Sequence, residues 1–220
     1  MKEIAIITVN YNKADSMRQL VSSLQESTNQ NFTLFVMDNN SSKECQEEVK
    51  QMLKDSKLSF HFIPLSANAG WGNALNYGFK AINNCGYQFT LVINNDTKLD
   101  KNAINKCLET LQDPKIGIVG FKILNEQGSI TSVGGRLDWF TKLTGITREN
   151  KPRWKETETV ILNDNEYVDD CCWMIKSKIM NKAQYPPYLF LYFEELYIVR
   201  ETRRMGFKIA YNPKAEVIHS

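Results

Sequence analysis

"QFTLVINNDTKLD" spans residues 88–100, and its reading decides the fold. The apolar run Phe89–Ile93 is that of a strand buried in a sheet. Two amides and a carboxylate follow it, Asn94, Asn95 and Asp96, then "TKLD". Two readings are open for such a strand end. It is an ordinary strand-to-helix turn in which Asp96 caps the next helix, or Asp96 is held there for chemistry.

The same unit repeats on both sides. Apolar runs at 3–9 ("EIAIITV"), 32–38 ("FTLFVMD"), 58–65 ("LSFHFIPL"), 88–94 and 116–123 ("IGIVGFKI") predict strands. Between them lie helical patterns at 14–27, 42–55, 70–84 and 102–113, the first with Met17, Leu20, Val21 and Leu24 on one face. This alternation predicts an α/β fold with a mostly parallel sheet and helices on both faces. After residue 123 the rhythm breaks. The Gly-, Thr- and charge-rich stretch up to about residue 160, with Trp139 and Trp154 scattered through it, predicts short strands and a mobile loop. "VDDCCWMIKS" (168–177) reads as a buried strand, a helix is expected from Glu194 to a stop at Gly206, and "KIAYNPKAEVIHS" as two short strands around Asn212-Pro213.

Composition narrows the classes. The chain has 220 residues, 42% hydrophobic and 24% charged, which suits one folded domain. A net charge of +2 gives no nucleic-acid footprint. Five cysteines without regular spacing predict free thiols in a reducing compartment. "MKEIAIITVNYN" reads as a first strand rather than a signal peptide, and no apolar stretch approaches the roughly 20 residues of a membrane span. The expected location is the cytoplasm, where the protein could act at the inner face of the membrane.

Ligands of open α/β sheets bind beyond the carboxyl ends of the strands. Those ends carry "VNYN" (9–12), "DNNSS" (38–42), "SANAGWGNALN" (66–76) and "NNDTKLD" (94–100), so Asn, Asp, Ser and Gly gather on one rim. Helix caps account for each alone but poorly for all four in this order.

With "YLFLYFEEL" and "RRMGFKIAYNPKAEVIH", these segments resemble, over about residues 3–219, the family 2 glycosyltransferases, and in particular their rhamnosyltransferase-like bacterial branch. The resemblance implies the GT-A type fold, a Rossmann-like nucleotide-sugar-binding half (1–123) joined to an acceptor-binding half (124–220). It implies transfer of a hexose or deoxyhexose from a dTDP- or UDP-sugar to a hydroxyl, with inversion and with Mg²⁺ or Mn²⁺. The acceptor would be a saccharide or lipid-linked saccharide, as in surface polysaccharide assembly.

Roles follow residue by residue from that likeness. Asp38 would accept the ring N–H of the base, the alternative being a cap for the helix after Ser42; Thr8, Asn10 and Tyr11 would line the same pocket. Asn68, Gly70, Trp71 and Asn73 would lie along the nucleotide-sugar, glycines allowing close approach and a helix N-terminus favouring the diphosphate. Asn95 and Asp96 end the metal-binding triplet, here Asn-Asn-Asp where many members have Asp-x-Asp. One carboxylate with phosphate oxygens suits a hard cation. His219 matches a second metal ligand, the alternative being a structural role, and the end one residue later reads as a short form.

"FEELY" stands where the family usually has Phe-Glu-Asp-x-Asp, making Glu195 the general base, Glu194 its rival, and Tyr197 a departure. First-turn acids facing a helix dipole are the alternative for the pair. Asp169 or Asp170 could bind sugar hydroxyls. The Tyr197 departure also admits a non-catalytic nucleotide-sugar-binding subunit. Nucleotidyl transfer would need an early glycine-rich basic loop, which "NYNKADS" lacks.

Overall fold

The computed structural model describes residues 3–137, 146–148, 154, 156–188 and 194–220. The first half runs as the periodicity predicts: β1 (Ile4–Asn10), α1 (Ala14–Gln25), β2 (Phe32–Asp38), α2 (Lys43–Asp55), β3 (Phe60–Pro64), α3 (Trp71–Ile82), β4 (Phe89–Ile93), then β5 (Thr97–Leu99), α4 (Ala103–Leu111) and β6 (Ile116–Leu124). The second half holds β7 (Ile130–Ser132), β8 (Gly135–Leu137), β9 (Ile146–Arg148), β10 (Val160–Ile161), β11 (Glu166–Tyr167), β12 (Cys172–Lys176), α5 (Ser177–Met180), α6 (Glu194–Arg204) and β13 (Lys208–His219).

A ten-stranded sheet has the order β10-β13-β6-β12-β4-β1-β2-β3, with β5 added to β13 and β7 to β6. β1, β2, β3 and β4 pair in parallel, as do β6 and β13. The sheet is nonetheless mixed. β12 inserts antiparallel between β4 and β6, so the fifth predicted strand does not lie beside the fourth. A small second sheet has the order β11-β8-β9, in the stretch where short strands were expected. The loop predicted there and Trp139 lie outside the described residues.

Strand alternation sorts the core into two layers. Ile4 and Ile6 of β1, Leu34 and Val36 of β2 and Leu91 and Ile93 of β4 face α1, α2 and α4. Ala5, Ile7, Phe35, Met37 and Val92 face α3, α5 and α6. Helices therefore cover both faces, which explains the near-continuous apolar strands. Met17, Leu20, Val21 and Leu24 form the buried stripe of α1, as their spacing predicts.

Three local expectations change. "TKL" is not a turn into a helix but the strand β5, whose Thr97 pairs with His219; α4 starts only at Ala103. Asp96 therefore caps no helix. The chain end is one strand, β13, carrying a register shift between Asn212 and Glu216, where Pro213 is accommodated. Ser42, not Asp38, caps α2, accepting from the Cys45 N–H at 3.2 Å.

Gly120 of β6 is required by packing. A Cβ there would fall into the side chain of Val168, the residue leading into Asp169 and Asp170. Gly120→Ala is expected to cost about 1–3 kcal/mol, the usual penalty for overpacking, measured as a lowered urea midpoint with an unchanged slope.

Candidate active site

The chain order β1-β2-β3 runs one way from β1, and β4 lies on its other side. The carboxyl ends of β1 and β4 thus border a topological switch point, where α/β sheets form a crevice. Asn10 ends β1 there, fully buried. Its amide donates to Asp38 Oδ2 at 3.2 Å and Ser41 Oγ at 3.4 Å, and its carbonyl accepts from Asn95 Nδ2 at 3.0 Å. The ends of β1, β2 and β4 are joined through these amides. Thr8 Oγ1 and Asn94 Oδ1 are buried polar atoms with no hydrogen-bond partner among the described residues, the kind of group a ligand or ordered water completes.

Asp38 is also fully buried. Its Oδ1 accepts the Ser41 N–H at 3.0 Å, so this carboxylate builds the turn after β2. Asn39, in the same turn, donates to Asn68 Oδ1 at 2.9 Å and accepts the Ala69 N–H at 2.8 Å. Asn68 Oδ1 also accepts the Gly70 N–H at 3.0 Å. Asn68 and Asp38 thus meet through Asn39, a residue whose position between them the motif alone did not assign. Gly70 takes φ 80° directly before α3, and Trp71 begins the helix. Tyr11, 47% exposed, stands at the rim. Asn73 turns elsewhere, its amide donating to the carbonyls of Ala69 and Pro187 at 3.1 and 3.2 Å. Trp154 is spent on packing, its ring 5.0 Å from that of Tyr211.

Asp96 and His219 are 123 positions apart in sequence, yet Asp96 Oδ1 and His219 Nε2 lie 3.1 Å apart. The β5–β13 pairing delivers the histidine, and the Ser220 N–H donates to the Asp96 carbonyl at 3.1 Å. The hydrogen bond to Asp96 raises the imidazole pKa above its ordinary value, against the opposing effect of burial. Both side chains are partly exposed. Among the described residues no group of three or more His, Cys, Asp or Glu is arranged to hold a metal. The pair offers one carboxylate and one imidazole, leaving most ligand positions to water or a substrate phosphate. That suits an octahedral cation such as Mg²⁺ or Mn²⁺ better than a closed structural site.

More acids gather beside this pair. The Asn94 N–H donates to the Cys171 carbonyl at 2.8 Å, tying the end of β4 to the segment before β12. Burial, and then the charge of Asp169, push the Cys171 thiol pKa well up. Asp169 accepts from Ser132 Oγ at 3.0 Å and from the Cys171 N–H at 3.1 Å. Asp170 accepts from the Tyr185 hydroxyl at 3.3 Å. The residue is partly buried, and desolvation, followed by the charges of Glu195, Asp169 and Glu194, raises its carboxyl pKa well above the ordinary value.

Glu194 and Glu195 open α6, each 2% exposed. Solvated first-turn acids facing a helix dipole would not be buried in this way. Glu194 approaches α3 at Gly72, where an added Cβ would lie 3.1 Å from Tyr185 Cβ and 3.5 Å from Glu194 Cγ. Burial raises the Glu194 carboxyl above its ordinary range. A group with a raised folded pKa favours the fold fully below its unfolded pKa and loses that contribution as pH rises through the folded value. Glu194→Gln is therefore expected to raise Tm relative to the native chain more at pH 8 than at pH 5, read by thermal melts across that range. Tyr197 supplies no carboxylate; its ring lies 5.0 Å from the Arg200 guanidinium.

All five cysteines are free. No helix among the described residues is long and apolar enough to cross a membrane.

The family described as glycosyl transferase family 2 matches residues 5–183. Poly-beta-1,6-N-acetyl-D-glucosamine synthase of Staphylococcus aureus (strain MSSA476) is 25% identical over 120 residues, 54% of this chain and 28% of that enzyme. The chain thus spans little more than a quarter of that relative. The crystal structure of S. aureus TarS 1-349 in complex with UDP superposes with a TM-score of 0.74 at 15% identity, covering 98% of this chain and 60% of that one. The mannosyltransferase PcManGT from Pyrobaculum calidifontis, in complex with GDP-Man and Mn²⁺, gives 0.71 at 13% identity, covering 99% and 56%. At such identities the structural likeness carries the fold, which is the GT-A type α/β fold of these glycosyltransferases. The match over most of its length makes this chain a member of glycosyl transferase family 2.

Proposed function

We propose that this chain is a metal-dependent inverting glycosyltransferase, moving a hexose or deoxyhexose from a dTDP- or UDP-sugar to a hydroxyl acceptor. The observation that carries the reading is the 3.1 Å contact of Asp96 and His219 beside the amide network that joins the ends of β1, β2 and β4. The relatives support it: TarS is recorded with UDP, and PcManGT with GDP-Man and Mn²⁺.

In this reading the nucleoside lies against Thr8, Asn10 and Tyr11. The imide N–H of the base reaches Asp38 as the Asn10 amide gives way. The diphosphate runs along Asn68–Asn73 to the N-terminus of α3, whose free N–H groups and dipole favour the anion. Asp96 and His219 would hold Mg²⁺ or Mn²⁺, which when bound neutralises charge on the departing diphosphate. Glu195 takes the proton of the acceptor hydroxyl as that oxygen forms its bond to the anomeric carbon. The bond from that carbon to the diphosphate oxygen breaks on the opposite face, so configuration inverts. Asp169 would hydrogen-bond a sugar hydroxyl.

The acceptor fits a saccharide or lipid-linked saccharide of a bacterial surface polysaccharide, and the place of action the cytoplasmic face of the inner membrane. Rhamnose as the sugar rests on the likeness to one branch and needs its own test. The 1–123 and 124–220 halves would bind donor and acceptor.

Calorimetry with UDP and with dTDP, each with and without Mn²⁺, followed by release of the nucleotide from its sugar, tests this reading. Metal-dependent binding together with turnover is the expected result. Binding without turnover on any acceptor would favour a second reading, a non-catalytic nucleotide-sugar-binding subunit. The specific observation behind that reading is Tyr197, engaged with Arg200 where a second acid was expected.

A further inference from the structure

Tyr185 sits between α3 and the buried carboxylates, and its place is set from several sides. Its N–H donates to Asn76 Oδ1 at 2.9 Å, and its carbonyl accepts from Asn76 Nδ2 at 2.8 Å. One side chain of α3 thus pairs with this backbone as a neighbouring strand would. The ring is 1% exposed, edge-on to Trp71 at 5.4 Å and stacked on Phe79 at 6.0 Å. Its Cβ and the Glu194 side chain both close on Gly72. Its hydroxyl donates to Asp170 Oδ2 at 3.3 Å. A tyrosine that only fills the core needs neither a two-bond backbone clamp nor a carboxyl partner among acids.

We propose that Tyr185 is a positioning residue for sugar transfer: its hydroxyl fixes the Asp170 carboxyl within the acidic cluster that holds the base Glu195, while its backbone and ring fasten that carboxyl to the helix of the donor segment. The proposal rests on the reading of Glu195 as base. The groups facing Asp170 are Asp169 on its own loop, Glu194 and Glu195 at the start of α6, and the Tyr185 hydroxyl. Carboxyls crowded together disfavour one another's ionisation. Burial is the largest cause of the raised Asp170 pKa, and the Tyr185 hydrogen bond opposes it. Burial thus favours the protonated form of Asp170, and on the reading of Glu195 as base the acceptor proton has its place there. No bond to Asp170 or Tyr185 forms or breaks; the proton leaving the acceptor goes to Glu195.

The test uses the full chain with Tyr185→Phe, which keeps the ring and the clamp and removes only the hydroxyl, beside Asp170→Asn and Glu195→Gln. Carboxyl carbon NMR of aspartate-labelled protein, with the Asp170 signal identified by its loss in Asp170→Asn, reads the Asp170 midpoint without any donor. Tyr185→Phe is expected to move that midpoint upward, since a hydrogen bond that lowers it is gone. Turnover is read as UDP or dTDP release from UDP-glucose, UDP-N-acetylglucosamine and dTDP-rhamnose. Tyr185→Phe is expected to lower kcat about tenfold, the worth of one hydrogen bond, with donor KM unchanged and the alkaline limb of the kcat profile shifted upward. Asp170→Asn, which keeps the size of the side chain but cannot ionise, is expected to lose that limb. An Asp170 midpoint unmoved in Tyr185→Phe, or kcat equal to the native value on a donor that is turned over, overturns the proposal. Full turnover in Glu195→Gln would instead overturn the base reading, and with it the catalytic half of the proposal, leaving the NMR shift to stand for the contact alone.

Discussion

Glu195→Gln is expected to lower kcat by about 10²- to 10⁴-fold, the usual contribution of a positioned general base, while UDP binding with Mn²⁺ stays at the native level. The substitution keeps the shape of a side chain that is 2% exposed, and it takes a carboxyl out of a crowded acidic cluster, so the fold should persist. On the proposed reading, what disappears is the site that takes the acceptor proton. Glu194→Gln is the informative comparison. That carboxyl packs against α3 at Gly72 and Tyr185, so its loss should disturb the geometry without removing the base. The longer glutamate at 195, where the family usually has aspartate, still reaches one bond further than its counterpart, and a misplacement near 1 Å can cost about 10²-fold. Full transfer activity in both variants would remove the base assignment.

Asp96→Ala is expected to abolish the gain in UDP affinity that Mn²⁺ provides, leaving the variant with or without metal at the level of the native chain without it. Removing a preorganised group that stabilises a developing charge typically costs about 10²- to 10³-fold in turnover, and a loss of that size is expected here. The side chain is 41% exposed and makes its side-chain contact with His219, so folding should change little. His219→Ala is expected to weaken the same gain without erasing it, because the carboxylate remains. A full Mn²⁺ effect on UDP binding in Asp96→Ala would show that the cation is held elsewhere.

Much of the fold was legible because buried parallel strands declare themselves. β1, β2 and β4 carry apolar residues on both faces, and α1 shows its stripe at Met17, Leu20, Val21 and Leu24. The misreadings share one cause. β5 is three residues long, and its stability comes from pairing with a strand at the other end of the chain; nothing local distinguishes it from a turn. The place of β12 between β4 and β6 is likewise a matter of long-range pairing. Proline 213 suggested a break, and the strand absorbs it in a register shift.

The site divides in the same way. Asn10, Asp38, Asn68, Gly70 and Asp96 could be read because each sits at the carboxyl end of its own strand, or directly before the next helix, where topology alone makes a rim. Asn39 lay within a quoted motif, but its bonds to Asn68 and Ala69 could not be seen. Tyr185 had no signal at all: "QYPPY" resembles an ordinary loop.

By itself the sequence determined the alternation of strands and helices, the polar rim and the family, because hydrophobic periodicity and short motifs act over a few residues. Tertiary structure alone decided that Asp96 meets His219 across 123 positions, that Asp38 is turned inward to Asn10 and Ser41, and that Asp170 and Tyr185 lie beside the two buried glutamates. Those contacts come from strand pairing and side-chain packing between distant segments, which set distance and dielectric, and so push the Asp170 and Glu194 carboxyls above their ordinary pKa values.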